Sequence, residues 1–387
     1  MGLKFFITLM IFFLIDSVFL FSQSKSGDLP VIDFSKNYPK HKEQILQDIV
    51  DIEYVRLETT DEVLLSGVRS MSDISKLAHI SDKYIIVYEM KRGDIFVFNR
   101  NGKIISHFNQ RGQSGREYYS IKRGVVFDEK NEEIFVCGNT VQVYSINGVY
   151  KRTLRIDSNA TINVYNFDDE TLLVYEDAVV YNGTITEKYT KKNPYRLVSK
   201  KDGSLVNILD IHFPKRISNH GTKIISYPSS SLHYGQDFVI ADMSSDTIYL
   251  LTQNKDITPI IARKPSIHAS ESRKIWSTHL TTDKYIFFGI IPLDFNSTNQ
   301  GGKIPVFMFE FETGETSAIS IINAEYAMKP WSPYPSPTIA KNMTAELMDV
   351  SPLIEAYKKK QLKGEFEKFV STLSNDDNPI VMIIKFK

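Results

Sequence analysis

Arg111, Arg116, Glu117, Tyr118 and Tyr119 crowd one short run, QRGQSGREY at 110–118 and the tyrosine after it, around Gly112 and Gly115. Two guanidiniums at this spacing suit a forked grip on a carboxylate or sulfate, and tyrosines beside them suit stacking on a sugar or peptide. The competing reading is architectural: an Arg–Glu bridge and a packed tyrosine that pin one repeat to the next. The run lies at a repeat junction, which favours the second reading. Trp331 and Tyr334 stand in KPWSPYPSP, where proline-stiffened chain presents aromatics at low entropic cost and suits a sugar or peptide platform. An aromatic plugging the propeller face beneath its helices is at least as good a reading for them. The candidate ligand-binding set is therefore Arg111, Arg116, Glu117, Tyr118, Trp331 and Tyr334.

Other chemistry finds little footing. Asp210, His212, His220 and His233 share one stretch, but their spacing matches no compact metal signature, and no metal site is expected. His268 and His279 flank Trp276 without a recognised pattern. Asp128, Asn131, Glu132 and Glu133 crowd a polar turn that lacks the alternating oxygens and glycine of a calcium loop, so they read as solvated turn residues. No serine sits in a Gly-x-Ser-x-Gly elbow, no Gly-x-Gly-x-x-Gly or P-loop occurs, and no cofactor is expected. Cys137, the only cysteine, lies in the strand-like IFVCG and reads as a small buried hydrophobe.

The elements that must carry these residues read as strands. DIFVFNRNGKIISHF at 94–108 and VQVYSINGVYKRTL at 141–154 each run apolar and aromatic residues into Asn-Gly and out again, as hairpins with a type I′ turn would. Outer-hairpin turns at Gly102, Gly148, Gly203, Lys255 and Gly314 recur at spacings of 46, 55, 52 and 59, suited to four-stranded propeller blades carrying loop insertions. Those five turns leave the ends over. The tail NPIVMIIKFK reads as a strand opened by Pro379, and pairing it with DIEYVRL at 51–57 would complete a sixth blade and leave no open edge. Ser351-Pro352 starts a short helix to about Lys360, with further helix at 365–373, as insertions in that last blade.

The chain has 387 residues, 42% of them hydrophobic, with 46 basic and 46 acidic side chains. Zero net charge supplies no global field toward nucleic acid, and no nucleic-acid partner is expected. Lys4 followed by the apolar run 5–21 and the small residues Ser22 and Ser24 has the layout of a signal peptide, residues 1–24. The expected organisation is that segment and one propeller domain at 25–387, exported to the periplasm or cell surface. No cysteine follows the segment to take a lipid, and no later run is long enough to span a bilayer.

QRGQSGREY, DIVDIEYVRLETTDE, KKDGSLVN and DDNPIVMIIKFK together resemble the six-bladed propeller proteins exported by Bacteroidetes, relatives of the NHL-repeat propellers. The family usually has Gly-Pro-Gly-Glu-Tyr where this chain has residues 113–118 as Gln-Ser-Gly-Arg-Glu-Tyr. The resemblance implies an all-β six-bladed propeller in the bacterial envelope, without a shared activity. The function expected is an exported module that binds a glycan, peptide or envelope protein. A propeller enzyme (a lyase or lactonase-like hydrolase) and a structural part of an outer-membrane assembly are the alternatives.

Overall fold

In the tail strand Ile380–Phe386, consecutive side chains enter different cores. Met382, Ile384 and Phe386 are buried in one apolar cluster, while Val381 and Ile383 are buried in another. A two-residue period with both faces apolar is what a strand sandwiched between two neighbouring sheets requires. Its partner is Val50–Arg56, paired antiparallel in unbroken register from Ile380↔Arg56 through Met382↔Tyr54 to Phe386↔Val50. The ends of the chain therefore share one sheet, as expected.

The computed structural model describes residues 28–36, 38, 41–68, 75–182, 184–217, 231–269, 274–292, 305–333, 335 and 340–387. The expected signal segment, His220 and Tyr334 lie outside the described residues. Six sheets stand around an axis. Blade 1 is Ser75–Ile80, Tyr84–Glu89, Ile95–Asn99 and Ile104–Phe108; blade 2 is Val125–Asp128, Glu133–Cys137, Val141–Ser145 and Tyr150–Leu154. Blade 3 is Ile162–Asn166, Thr171–Glu176, Tyr195–Ser199 and Leu205–Ile208, with the small hairpin Val180–Tyr181 and Thr184–Ile185 inserted. Blade 4 is Ser231–Tyr234, Asp237–Ile240, Thr247–Leu251 and Ile257–Lys264; blade 5 is Lys274–Thr281, Tyr285–Pro292, Val306–Glu310 and Thr316–Asn323. Blade 6 joins Met343–Met348, Ile380–Phe386 and Val50–Arg56, and the helices Val350–Lys358 and Gly364–Val370 are inserted within it.

Each pair of neighbouring blades encloses its own apolar cluster. Blades 1 and 2 meet through Ile86, Val97, Phe127 and Ile134, and blades 6 and 1 through Val381, Ile383, Phe96 and Phe98. The helices of blade 6 bury Leu353, Ile354 and Phe366, and Tyr54 stacks on Phe366 with ring centroids 4.4 Å apart. The N-terminal stretch adds edge strands to two other blades. Val31–Asp33 pairs parallel with Ile257–Lys264 of blade 4, and His41–Ile45 pairs parallel with Thr316–Asn323 of blade 5.

All five expected turn positions join the third and fourth strands of blades 1 to 5. Their geometry differs from type I′. Gly102 has φ +79° and Gly148 +76°, whereas Asn101 and Asn147 are absent from the positive-φ residues, so one position rather than two is left-handed. Gly102 N–H donates to Asn99 O (2.9 Å), Asn99 N–H donates to Lys103 O (2.7 Å), and the pairing slips between Val97 and Phe98. That is a type I turn closed by a left-handed glycine bulge. The Asn99 side-chain oxygen accepts from the amides of Asn101 and Lys103, stabilising this form locally.

The turn glycine has a second duty. A Cβ on Gly102 would lie 2.0 Å from the Arg56 carbonyl oxygen of blade 6. A Cβ on Gly148 would lie 2.5 Å from the Phe108 ring of blade 1, and one on Gly203 2.9 Å from the Arg155 backbone just past blade 2. These three turns thus dock on the end of the preceding blade's outer strand or just beyond it. Gly314, at φ +70°, meets nothing within 4 Å and isolates the conformational cost. Gly314→Ala is expected to destabilise by about 1–2 kcal/mol, the price of a left-handed alanine. Gly102→Ala should cost several kcal/mol more in chemical denaturation, and equal losses would show that the docking carries no energy.

Candidate functional site

Residues 109–124 connect blade 1 to blade 2 and contain the Arg–Gly–Tyr run. Glu117 does not bridge to an arginine. Its carboxylate turns back into the loop and accepts from Ser114 N–H (2.9 Å), and that backbone hydrogen bond holds its pKa below the ordinary carboxylate range. Gly112 makes room for it, since a Cβ there would lie 2.0 Å from the Glu117 Oε2. Tyr118 is buried and serves as the pin. Its hydroxyl donates to Gly93 O (2.5 Å) and accepts from Gln110 N–H (2.9 Å). Arg111 donates to the backbone oxygens of Lys91 and Tyr119. Arg116 is exposed, its guanidinium 5.9 Å from the Tyr150 ring centre. The run is thus a self-locked loop, and a paired-guanidinium anion fork does not form.

Blade 2 suspends this loop from outside. Tyr144 Oη donates to Arg116 O (2.7 Å), and the Gln142 side-chain amide donates to Gly115 O (3.4 Å) and Glu117 O (3.3 Å). Between loop and blade lies an open cavity of about 890 Å³. Its floor is a chain of neutral polar groups: Tyr150 Oη lies 3.0 Å from Thr153 Oγ1, which donates to the Gln142 oxygen. Asn139 and Thr140 of a blade 2 turn close one side, and Tyr119, 65% exposed, stands at the rim. Lys151 and Arg152 also face the cavity but are engaged by Glu133, at 2.7 Å and in a forked pair of 2.8 and 2.5 Å. Donors, acceptors and two tyrosine rings on a rigid floor suit a hydroxylated ligand.

In the acidic turn at 128–133, Asn131 and Glu132 are exposed as expected, but Asp128 and Glu133 are corrected from solvated to structural. Asp128 is buried and bonds Lys200 of blade 3 at 2.6 Å, while Glu133, also buried, clamps Lys151 and Arg152. Burial works against the charge on Glu133, but the two cations outweigh it and hold its pKa below the usual value. Trp331 is likewise in the core, 9% exposed and packed near Phe386 in the cluster between blades 5 and 6, so its ring is not presented as a platform. Cys137 is buried, and desolvation pushes its thiol up to about 12. Sequence reasoning missed Gln142, Tyr150 and Thr153; the only signal was the polar run YKRT directly after a strong turn.

Among the described residues the histidines do not assemble into a metal site. His212 is exposed beside Asp210, at 3.5 Å, while His233 lies on the innermost strand of blade 4, packed against Phe238. His79 Nε2 lies 3.1 Å from Glu129, and His268 bonds the Ser244 carbonyl at 2.9 Å. Among the described residues no three His, Cys, Asp or Glu side chains converge as metal ligands.

Three outcomes follow. Tyr118→Phe removes both bonds of a buried hydroxyl and is expected to destabilise by about 1–3 kcal/mol in denaturant titration. Arg116→Ala should change stability by under about 0.5 kcal/mol, as surface substitutions do. For His233, desolvation first and the nearby His79 second push the pKa down to about 4. The unfolded chain then binds the proton more readily, so stability falls as pH drops from about 6.5 toward 4. Between pH 7 and 5 the protein should lose about 2 kcal/mol more than His233→Asn does. Equal losses would mean that the ring is solvated in the folded protein.

A family model described as Domain of unknown function (DUF4934) matches residues 29–385. No curated protein matches the sequence. Among solved structures, a protein of Bacteroides fragilis described as exported aligns over 92% of this chain and 99% of its own, at 13% identity and TM-score 0.62. A DUF4221 member from Bacteroides vulgatus aligns over 88% and 99%, at 10% identity and TM-score 0.47. A virginiamycin B lyase from Staphylococcus aureus aligns over 58% and 66%, at 14% and 0.33.

Proposed function

We infer a function from the premise that this chain belongs to the DUF4934 family, whose pattern spans 29–385 and thus all six blades. The protein is an exported recognition module of the bacterial envelope, and its ligand is a glycan held in the cavity on blade 2. One observation carries the reading: the cavity pairs a neutral hydroxyl–amide floor, Tyr150, Thr153 and Gln142, with the exposed ring of Tyr119. Sugars offer hydroxyls to such a floor and C–H faces to such a ring. The one carboxylate at the loop, Glu117, is tied to backbone amides and held ionised, which suits it to accept hydrogen bonds rather than to donate a proton. Glycoside hydrolysis asks for two carboxylates in separate roles. Export is supported by the signal-like layout of residues 1–24. A peptide or envelope protein would be read by the same ring and amides.

A thermal-shift screen of the protein against host and bacterial glycans tests this. A glycan at 100 times its Kd should stabilise by about 2.7 kcal/mol. Tyr119→Ala and Thr153→Val should each weaken that glycan at least fivefold while leaving the unliganded melting temperature within a degree or two. A glycan response untouched by both variants would move the site elsewhere, and turnover of a glycan or lactone would replace recognition with catalysis.

A further inference from the structure

The outermost strand of blade 3, Leu205–Ile208, differs from the others. Leu205, Val206 and Ile208 are 54%, 50% and 49% exposed, and Asn207 is exposed as well. Among the described residues it pairs on one side only, with Tyr195–Ser199. The outer strands of blades 4 and 5, in contrast, are each covered by a parallel strand from the N-terminal stretch. Proteins usually blunt a free edge with lysine, proline or a covering segment, and LVNI carries no such device. A cavity of about 460 Å³ opens beside the strand, lined by Leu205 and Ile208 together with Arg155, Lys191 and Lys192. Lys191 is engaged by Glu176 at 3.2 Å, whereas Arg155 and Lys192 have no ion-pair partner among the described residues. Asp157 is the one acid in the lining.

We propose that the Leu205–Ile208 edge is a docking site for an extended peptide that adds as a fifth strand, with apolar side chains on the exposed leucine and isoleucine and a carboxylate toward Arg155 and Lys192. Strand addition supplies affinity through main-chain hydrogen bonds and specificity through alternate side chains. The chain itself displays the chemistry on blade 4. There Val31-Ile32-Asp33 lies parallel on the edge strand with Ile32 buried, and the Asp33 carboxylate lies 3.5 Å from Lys264. This site adjoins the blade 2 cavity, since Arg155 lines both, but it does not depend on that cavity's ligand.

The probe is a fluorescent synthetic heptapeptide copying residues 28–34, Asp-Leu-Pro-Val-Ile-Asp-Phe, titrated by anisotropy into the full-length protein. Saturable binding is expected that weakens at least tenfold in the double variant Leu205→Lys, Ile208→Lys, and at least fivefold in Arg155→Glu. A peptide with both aspartates replaced by lysine should bind at least fivefold more weakly. These exposed positions tolerate substitution, and circular dichroism of each variant checks that the fold is intact. No saturable binding would overturn the proposal, and so would binding that ignores the variants, which would indicate strand exchange on blade 4. Concentration-dependent dimers abolished by the double lysine variant would assign the edge to a second copy instead. An intramolecular cross-link from Lys192 to Lys25 would assign it to the chain's own N-terminal segment, again against the proposal.

Discussion

The antiparallel seam between Ile380–Phe386 and Val50–Arg56 is the contact on which the ring depends. It joins residues more than three hundred positions apart, so the chain gives up loop-closure entropy to form it. Two apolar interfaces repay that cost together, one toward blade 5 through Met382, Ile384 and Phe386, the other toward blade 1 through Val381 and Ile383. Remove the seam and blade 6 loses its middle strand, and both interfaces open. The helices inserted in that blade add a third layer, since Tyr54 on the N-terminal strand stacks with Phe366 and Phe369. Both ends of the chain are therefore held by packing as well as by hydrogen bonds.

Around the rest of the ring, polar groups set the registry that apolar packing leaves loose. Lys200 reaches from blade 3 to Asp128 of blade 2, and Arg152 of blade 2 donates to the Lys200 carbonyl at 2.8 Å. Removing one partner of such a buried pair leaves an uncompensated charge, so the arrangement disfavours alternative seatings of one blade on another. The loop at 109–124 follows the same logic. Glu117 and Tyr118 are spent on holding the loop's own backbone, and because the loop is rigid, the cavity beneath it keeps its shape. A rigid floor lowers the entropic cost of taking up a ligand.

How much was legible varies with the range of the interaction. The hairpins, the five turn positions and the tail strand's place beside Tyr54 follow from local pattern, because strand period and turn residues are properties of adjacent positions. The turn type was misread: Asn101 and Asn147 tolerate positive φ but do not adopt it here, since Asn99 and Ser145 cap a different turn. The acidic turn at 128–133 looked solvated because its cations, Lys200 and Arg152, lie up to 72 residues away. Platform and plug stayed open for Trp331 because nothing local reveals that Phe386 packs near it.

The sequence alone determined that this is a ring of antiparallel hairpins closed by its own ends, because apolar alternation and left-handed turn residues specify which face of each strand is buried. Only the tertiary structure decided what the conspicuous residues do. It turned Glu117 inward, buried Trp331, covered the edges of blades 4 and 5 and, among the described residues, left that of blade 3 paired on one side only. The physical reason is that burial and charge pairing are set by neighbours brought together across the ring, and no window of adjacent residues contains them.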